Sequence, residues 1–388
     1  MEYVRLRDLV SHKKGFAFKS ELYSDSGTMV VRVSDFTLES ISDSDAVYIE
    51  PSDKYEPYKL STGDILIQTV GSWANNPNSI VGKVVRVPQH CHNAYLNQNI
   101  VRIEPNDAVD KTYLFYSLLA NHFSTYCVNR GQGAANQASI TLETILKFKF
   151  QIHNKSTQTK IASILFKYDQ LIENNNRRIR LLEQMAVNLY KEWFIRFRFP
   201  GHDKVEFEEG LPKGWEITRI KDTIVEQPKS KVQVGNVEGN NGQYPFYTSG
   251  ANILQYNQYL VDGENILLNT GGIADVKYSI GKIHYSTDTW CIKGIDGYTL
   301  FLYLYLKGIL PEINASYFEG AALKHLKKAS FKKKKILLPP ETIIERFNQQ
   351  VSVMYKEIFL LKQNNQFLTR QRDLLLPRLM SGKLEVNA

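Results

Sequence analysis

The chain has 388 residues, of which 43% are hydrophobic and 12% aromatic, enough for two or three domains with their own cores. A net charge of +8 suggests a polyanionic partner, while the longest apolar run, Tyr298 to Leu306, is too short to span a bilayer and Met1 to Val10 lacks the apolar core of a signal peptide. Cys91, Cys127 and Cys291 stand far apart, which fits a reducing cytoplasm and disfavours structural zinc; His90, Cys91 and His92 are neighbours that a strand would turn to opposite faces, so no metal site is expected.

In chain order, Val4 to Asp8 alternates like an opening strand. Gly63 to Ile67 reads as a buried strand, followed by a polar loop from Gln68 to Ser79 and by Ile80, Gly82 and Lys83. Tyr113 to Leu119 is an apolar, helical segment, and Ile140, Ile145, Phe150 and Ile152 lead into a stretch without Gly or Pro, Thr157 to Phe197. Stepping four and three residues along that stretch gives Ile161, Leu165, Tyr168, Ile172, Asn175, Ile179, Leu182, Ala186, Leu189 and Trp193, a seam of coiled-coil type broken only by Asn175. At 1.5 Å per residue this helix is on the order of 60 Å long, more than a compact domain needs, which marks it as a spacer. From Leu181 to Phe199 apolar residues lie on nearly every face, so this end is expected to pack on a globule or on a partner.

Pro200 and Gly201 end the helix, and Leu211 to Trp215 (L-P-K-G-W) opens a second block. That block repeats the first. Ile217 to Asp222 resembles Val4 to Asp8, Gly263 to Leu268 resembles Gly63 to Ile67, and the polar loop Asn269 to Tyr278 again leads to an Ile-Gly-Lys element at Ile280, Gly281 and Lys282. Leu300 to Leu306 matches Tyr113 to Leu119, and Leu326, Phe331, Ile336 and Leu338 match Ile140, Ile145, Phe150 and Ile152 at an offset of 186. A second seam then runs through Phe347, Val351, Met354, Ile358, Leu361, Asn365, Leu368, Arg372, Leu375 and Leu379, with Pro377 near the expected end of its helix. Asn175 and Asn365 correspond at an offset of 190, so a four-residue insertion acts as a stutter, and the two asparagines are placed to fix how the helices slide on each other.

The expected fold is therefore α+β, a tandem duplication in which two similar β-rich mixed domains are separated by two long helices that form an antiparallel coiled coil. The boundaries expected are 1–155 for the first globular domain, 156–200 for the central spacer helix, 201–340 for the second globular domain and 341–388 for the C-terminal spacer helix. Two similar surfaces held apart suit a target with two separated features, and duplex DNA repeats its grooves about every 34 to 36 Å.

No phosphate-binding loop, dinucleotide fingerprint, nucleophile elbow or deaminase zinc signature occurs, and Asn76-Pro77-Asn78-Ser79 departs from the N-P-P-aromatic motif of amino-group methyltransferases. Catalysis is not expected of this chain. Lys plus Arg against Asp plus Glu is 16 against 16 over residues 1–155 and 8 against 4 over 156–200, so a nucleic acid would meet polar side chains and local patches on the first globule. The loops supply them. Gln68, Thr69, Ser72, Asn75, Asn76, Asn78 and Lys83 form one set, Arg130, Gln132, Asn136 and Gln137 a second, and Asn269, Thr270, Lys277, Tyr278 and Lys282 a third; Asn and Gln can address adenine, and Lys guanine or phosphate. Lys324, Lys327, Lys328 and Lys332 to Lys335 are a solvated face or a phosphate contact.

The duplicated plan, the segment Ile161 to Phe199, the L-P-K-G-W opening and the ending Leu374 to Leu384 resemble the specificity subunit of type I restriction-modification enzymes over essentially the whole chain. The first copy lacks the L-P-x-G-W opening. The resemblance implies a non-catalytic, cytoplasmic reader of double-stranded DNA, each globule reading one half of an asymmetric bipartite target. It also implies two modification (methyltransferase) subunits and restriction subunits as partners, with S-adenosylmethionine, ATP and Mg2+ held by them and no cofactor held by this chain. The alternatives are a two-headed coiled-coil scaffold that binds no DNA, and a specificity chain of a methylation-only or type II system.

Overall fold

The computed structural model describes residues 2–37, 40–73, 79–120, 122–134, 137–237, 239, 242–250, 252–320 and 323–386. The chain divides into two units: Met1–Glu173 with Gln366–Ala388, and Asn174–Asn365. Each is a globule together with a stretch of both long helices.

The central helix is Lys155–Tyr190, continued by a wider turn of π type over Lys191–Ile195. Its start is set by Asn154, whose side chain accepts the backbone N–H of Thr157 at 2.9 Å and so satisfies one of the free donors of the first turn. Phe197 takes positive φ, which turns the chain out of the helix before Pro200, and Gly201 beyond it is again at positive φ. The C-terminal helix, Glu341–Met380, begins directly after Pro339 and Pro340 with an acidic first residue, favourable at the positive end of the helix dipole. It runs through Pro377, where the sequence suggested a stop. Proline removes one donor from the last turns, but the cap itself is Gly382, at φ +71, whose N–H bonds the Leu379 carbonyl at 3.2 Å.

In the first unit a four-stranded antiparallel sheet runs in the order Val10–Lys14, Ile100–Pro105, Ile65–Gln68, Val84–Arg86. Successive side chains of Ile65–Gln68 point to opposite faces and both faces are covered, which is why the strand is apolar without alternation. Ile65 and Ile67 pack with the helix Lys111–Ala120 and with Ile161 and Leu165 of the central helix and Leu376 and Leu379 of the C-terminal helix. Leu66 packs the other way, with Met29, Val31 and Leu96 of a three-stranded sheet. A two-stranded ribbon, Glu2–Arg5 against Lys149–Ile152, leads into the central helix.

The second unit repeats this topology. Its four-stranded sheet runs Ile224–Glu226, Thr289–Gly294, Asn265–Asn269, Val276–Ser279, with Ile266 and Leu268 toward the helices and Leu267 toward Tyr247, Ile283 and Tyr285. The ribbon Glu216–Arg219 against Lys335–Leu338 leads into the C-terminal helix. Pairing registers align the copies residue by residue: Ile65 faces Arg86 and Ile103, and Ile266 faces Tyr278 and Ile292.

The two long helices are antiparallel within each unit. In the first, Asp169 meets Arg372 at 2.8 Å and His153 meets the Met380 carbonyl at 3.2 Å. In the second, Asn175 donates to Asn365 at 2.9 Å, Asn365 donates to Asn176 at 2.8 Å, and Glu183 pairs with Lys362 at 3.5 Å. The seam residues Ile161, Leu165, Ile172, Asn175, Ile179, Phe347, Val351 and Ile358 are buried, while Leu182, Asn365 and Leu368 are half-buried. The apolar end of the central helix packs on its own globule: Trp193 and Phe194 lie 5.7 and 4.8 Å, ring to ring, from Phe347, and Phe194 lies 4.8 Å from Phe301. Leu181, Met185 and Ile195 stay at least half exposed.

Candidate nucleic-acid interface

In the first unit the loop after Ile65–Gln68 is brought beside the segment that follows the helix Phe123–Arg130. Strands Gln132–Ala134 and Gln137–Ser139 form a hairpin, and the second of them pairs with Val70–Gly71. The approach is close enough to demand glycine at 71, where a Cβ would lie 2.2 Å from the Ser79 carbonyl oxygen and 2.3 Å from Gln68 Nε2. Gly82 does the same beneath the loop. With φ at +78 it lets the chain pass against Cys127, whose Cβ would be 2.3 Å from an added methyl, and so seats the helix that carries Arg130.

The candidate residues divide by burial. Gln68 is fully buried and donates to the carbonyls of Val70 and Ser79 at 2.9 and 2.8 Å, so it shapes the loop from inside. Thr69 is buried and donates to the Asn99 carbonyl at 2.8 Å. Lys83 is buried under the loop, and burial lowers its ammonium to about 8. Ser72 is half-buried, bonded through its N–H to Ser79. Arg130, Gln132 and Gln137 are exposed on the hairpin side, with the Arg130 guanidinium 4.2 Å above the Tyr126 ring. Asn75, Asn76, Asn78 and Asn136 lie outside the described residues.

The second unit places a loop and a hairpin in the same relation. The loop from Asn269 to Ala274 is held by the strands Phe318–Glu319 and His325–Leu326: Gly272 N–H bonds the Lys324 carbonyl at 2.9 Å and Leu326 N–H bonds Thr270 at 3.0 Å. Asn269 is buried and donates to the Ile273 carbonyl at 3.2 Å, and Thr270 donates to Asp288 at 2.9 Å. The tip so fixed presents Ile273, 77% exposed, beside Leu323 and Lys324. Lys277 and Tyr278 are on the strand Val276–Ser279 and not in the loop. Lys277 bonds the carbonyls of Thr248 and Gly250 at 3.0 and 2.7 Å and pairs with Asp275; Tyr278 packs between Tyr303 and Tyr355. Lys282 is exposed, 4.8 Å over the Tyr259 ring.

Ile273 and Leu323 were not singled out from the sequence, and Lys324 entered only within a lysine run read as a solvated face or a phosphate contact. The signal was weak: two lone apolar residues in a polar stretch, and a lysine run that equally describes a solvated face. Among the described residues no group of three or more His, Cys, Asp or Glu could hold a metal ion, and no helix is long and apolar enough to cross a membrane.

Two copies of one sheet-and-hairpin frame, each seated on paired antiparallel helices, define a protein built by tandem duplication. The chain belongs to the type I restriction-modification DNA specificity domain family, whose model matches residues 1–184 and 212–366, one match per copy. It is 26% identical over 317 residues to the type I restriction enzyme MjaIX specificity subunit of Methanocaldococcus jannaschii, covering 75% of this chain and 73% of that one. To the type I restriction enzyme HindI specificity subunit of Haemophilus influenzae it is 23% identical over 417 residues, covering 84% and 87%. The crystal structure of a type I restriction-modification S subunit from M. genitalium superposes with a TM-score of 0.60 over 100% of this chain and 96% of that one at 15% identity, a likeness of fold.

Proposed function

We propose that each globule of this type I specificity subunit reads one half of an asymmetric bipartite sequence in double-stranded DNA, and that the paired helices set the unread gap and dock two modification subunits. The observation that carries the reading is the repeated pairing of a strand loop with a hairpin: Arg130, Gln132 and Gln137 in one unit, and Ile273 and Lys324 in the other, stand outward on rigid frames. Polar side chains suit base edges, an isoleucine suits a thymine methyl group, and lysine and arginine suit guanine or phosphate. The chain itself is a reader without catalysis, working in the cytoplasm. S-adenosylmethionine belongs to the modification subunits, which methylate a flipped adenine, and ATP and Mg2+ to the restriction subunits.

The helices support the docking half of the reading. In the second unit Leu181 and Met185, one turn apart, and Val353 and Leu360, two turns apart, are each at least half exposed. In the first unit Leu171, Phe367 and Leu374 are too. Genome-wide adenine methylation compared between cells with and without this chain tests the proposal. Loss of one bipartite methylated motif on deletion is expected; an unchanged methylome with active modification subunits would favour a scaffold. Exchanging residues 201–340 for those of a relative should alter one half of the motif only.

A further inference from the structure

The helix Lys111–Ala120, the edge strand Val84–Arg86 and the two long helices of the first unit meet at one carboxylate. Asp169 Oδ2 accepts from Arg86 Nη2 at 3.1 Å and from the Tyr116 hydroxyl at 2.5 Å, and Oδ1 accepts from Arg372 Nη1 at 2.8 Å. All of the charged side chains are less than one-fifth exposed and Tyr116 is fully buried. The Arg86 guanidinium is also clamped between rings, 4.5 Å from Phe166 of the central helix and 5.3 Å from Phe115. One side chain thus ties sheet, crossing helix, central helix and C-terminal helix together.

The duplication identifies the counterpart. The strand position of Arg86 is that of Tyr278, because each faces the equivalent isoleucine, Ile65 or Ile266. Tyr116 corresponds to Tyr303 in the matched apolar helices, and Asp169 lies 186 residues before Tyr355, the offset that relates the two seams at Ile161 and Phe347. These three tyrosines form a closed ring cluster, with centroids 5.3, 5.1 and 5.6 Å apart. The same junction is ionic in one copy and aromatic in the other. An aromatic cluster tolerates small slips, since its attraction is broad. A carboxylate shared by two guanidiniums and a hydroxyl tolerates few, since any slip leaves a buried charge unpaired.

We propose that Asp169 is the positioning residue that fixes the first globule on its helix pair, and so fixes the place along the central helix from which the first half-site is read. The inference rests on the bipartite reading above. Its test uses the complete methyltransferase complex on a library of duplexes in which the gap between half-sites varies by one or two base pairs and each half-site is varied in turn. Asp169→Asn keeps the shape and removes the charge, so the Arg86 guanidinium loses its carboxylate and Arg372 loses this one while keeping its pairing with Asp373. The preference for the native gap, and the discrimination within the first half-site, should each fall at least tenfold, with discrimination in the second half-site unchanged. Tyr355→Phe, which keeps the ring, should leave all three as in the wild type. Where Asp169→Asn prevents assembly, Arg372→Met, which leaves the Arg86 and Tyr116 bonds in place, carries the test and should relax the first half-site alone. A uniform loss of rate with selectivity intact, or no change, in an assembled variant overturns the proposal. A wild-type complex that methylates no bipartite site overturns the function instead.

Discussion

Replacing Asn365 by Leu tests whether the polar layer in the helix seam specifies register. Asn175 is 8% exposed and its amide donates to Asn365, which donates in turn to Asn176. Asn365→Leu alone leaves the buried Asn175 donor without its acceptor, at a cost of about 1–3 kcal/mol, only partly offset by the added apolar surface. Removing both partners, Asn175→Leu with Asn365→Leu, leaves no buried polar group there and should be neutral or stabilising. A double-mutant cycle in urea should therefore give a coupling of about 2 kcal/mol, well above the roughly 0.5 kcal/mol within which independent sites add. Register is read separately by cysteine cross-linking. Arg178 pairs with Glu357 in the native register, so Arg178→Cys with Glu357→Cys should cross-link in both backgrounds. Arg178→Cys with Asn364→Cys, one heptad along, should cross-link only where both asparagines are leucine. Additive single effects with one register throughout would refute the reasoning.

Two further outcomes follow from the loop frame. Gly82→Ala must place a methyl at φ +78 and 2.3 Å from Cys127 Cβ, whereas Gly63→Ala at φ +87 meets nothing within 4 Å; thermal unfolding should show the first costing about 2–5 kcal/mol and the second about 1–2, and equal costs would show that the helix under the loop yields freely. Lys83, lowered by burial to about 8 from the ordinary 10.5, gives up its proton in the folded chain while the unfolded chain still holds one, so between those values folding of the wild type is favoured as pH rises. Relative to Lys83→Met the wild type should gain stability from pH 8 to 10, by at most about 3 kcal/mol, and a flat or falling difference would place the ammonium in water.

Much of this architecture was legible because it depends on spacing along the chain. The four-and-three rhythm from Ile161 and from Phe347 dictates two seams whatever covers them, and the matched strands around Gly63 and Gly263 reveal a duplication without any knowledge of their pairing. Asn175 and Asn365 could be matched as polar breaks for the same reason, since a buried amide in a seam needs a partner at the same level. What the sequence could not carry was which way a loop side chain turns. Gln68 and Gln132 are the same residue type in similar polar stretches, yet one is fully buried with its amide spent on two carbonyls and the other is exposed. Tyr278 lies two residues before Ile280 in a stretch that reads as loop, and becomes a strand residue in a tyrosine cluster only because Val276–Ser279 pairs with Asn265–Asn269. Asp169 is one helix carboxylate among several by sequence. Its two guanidiniums come from residues 83 positions earlier and 203 later, so only the tertiary structure could make it the point where the first unit is pinned together.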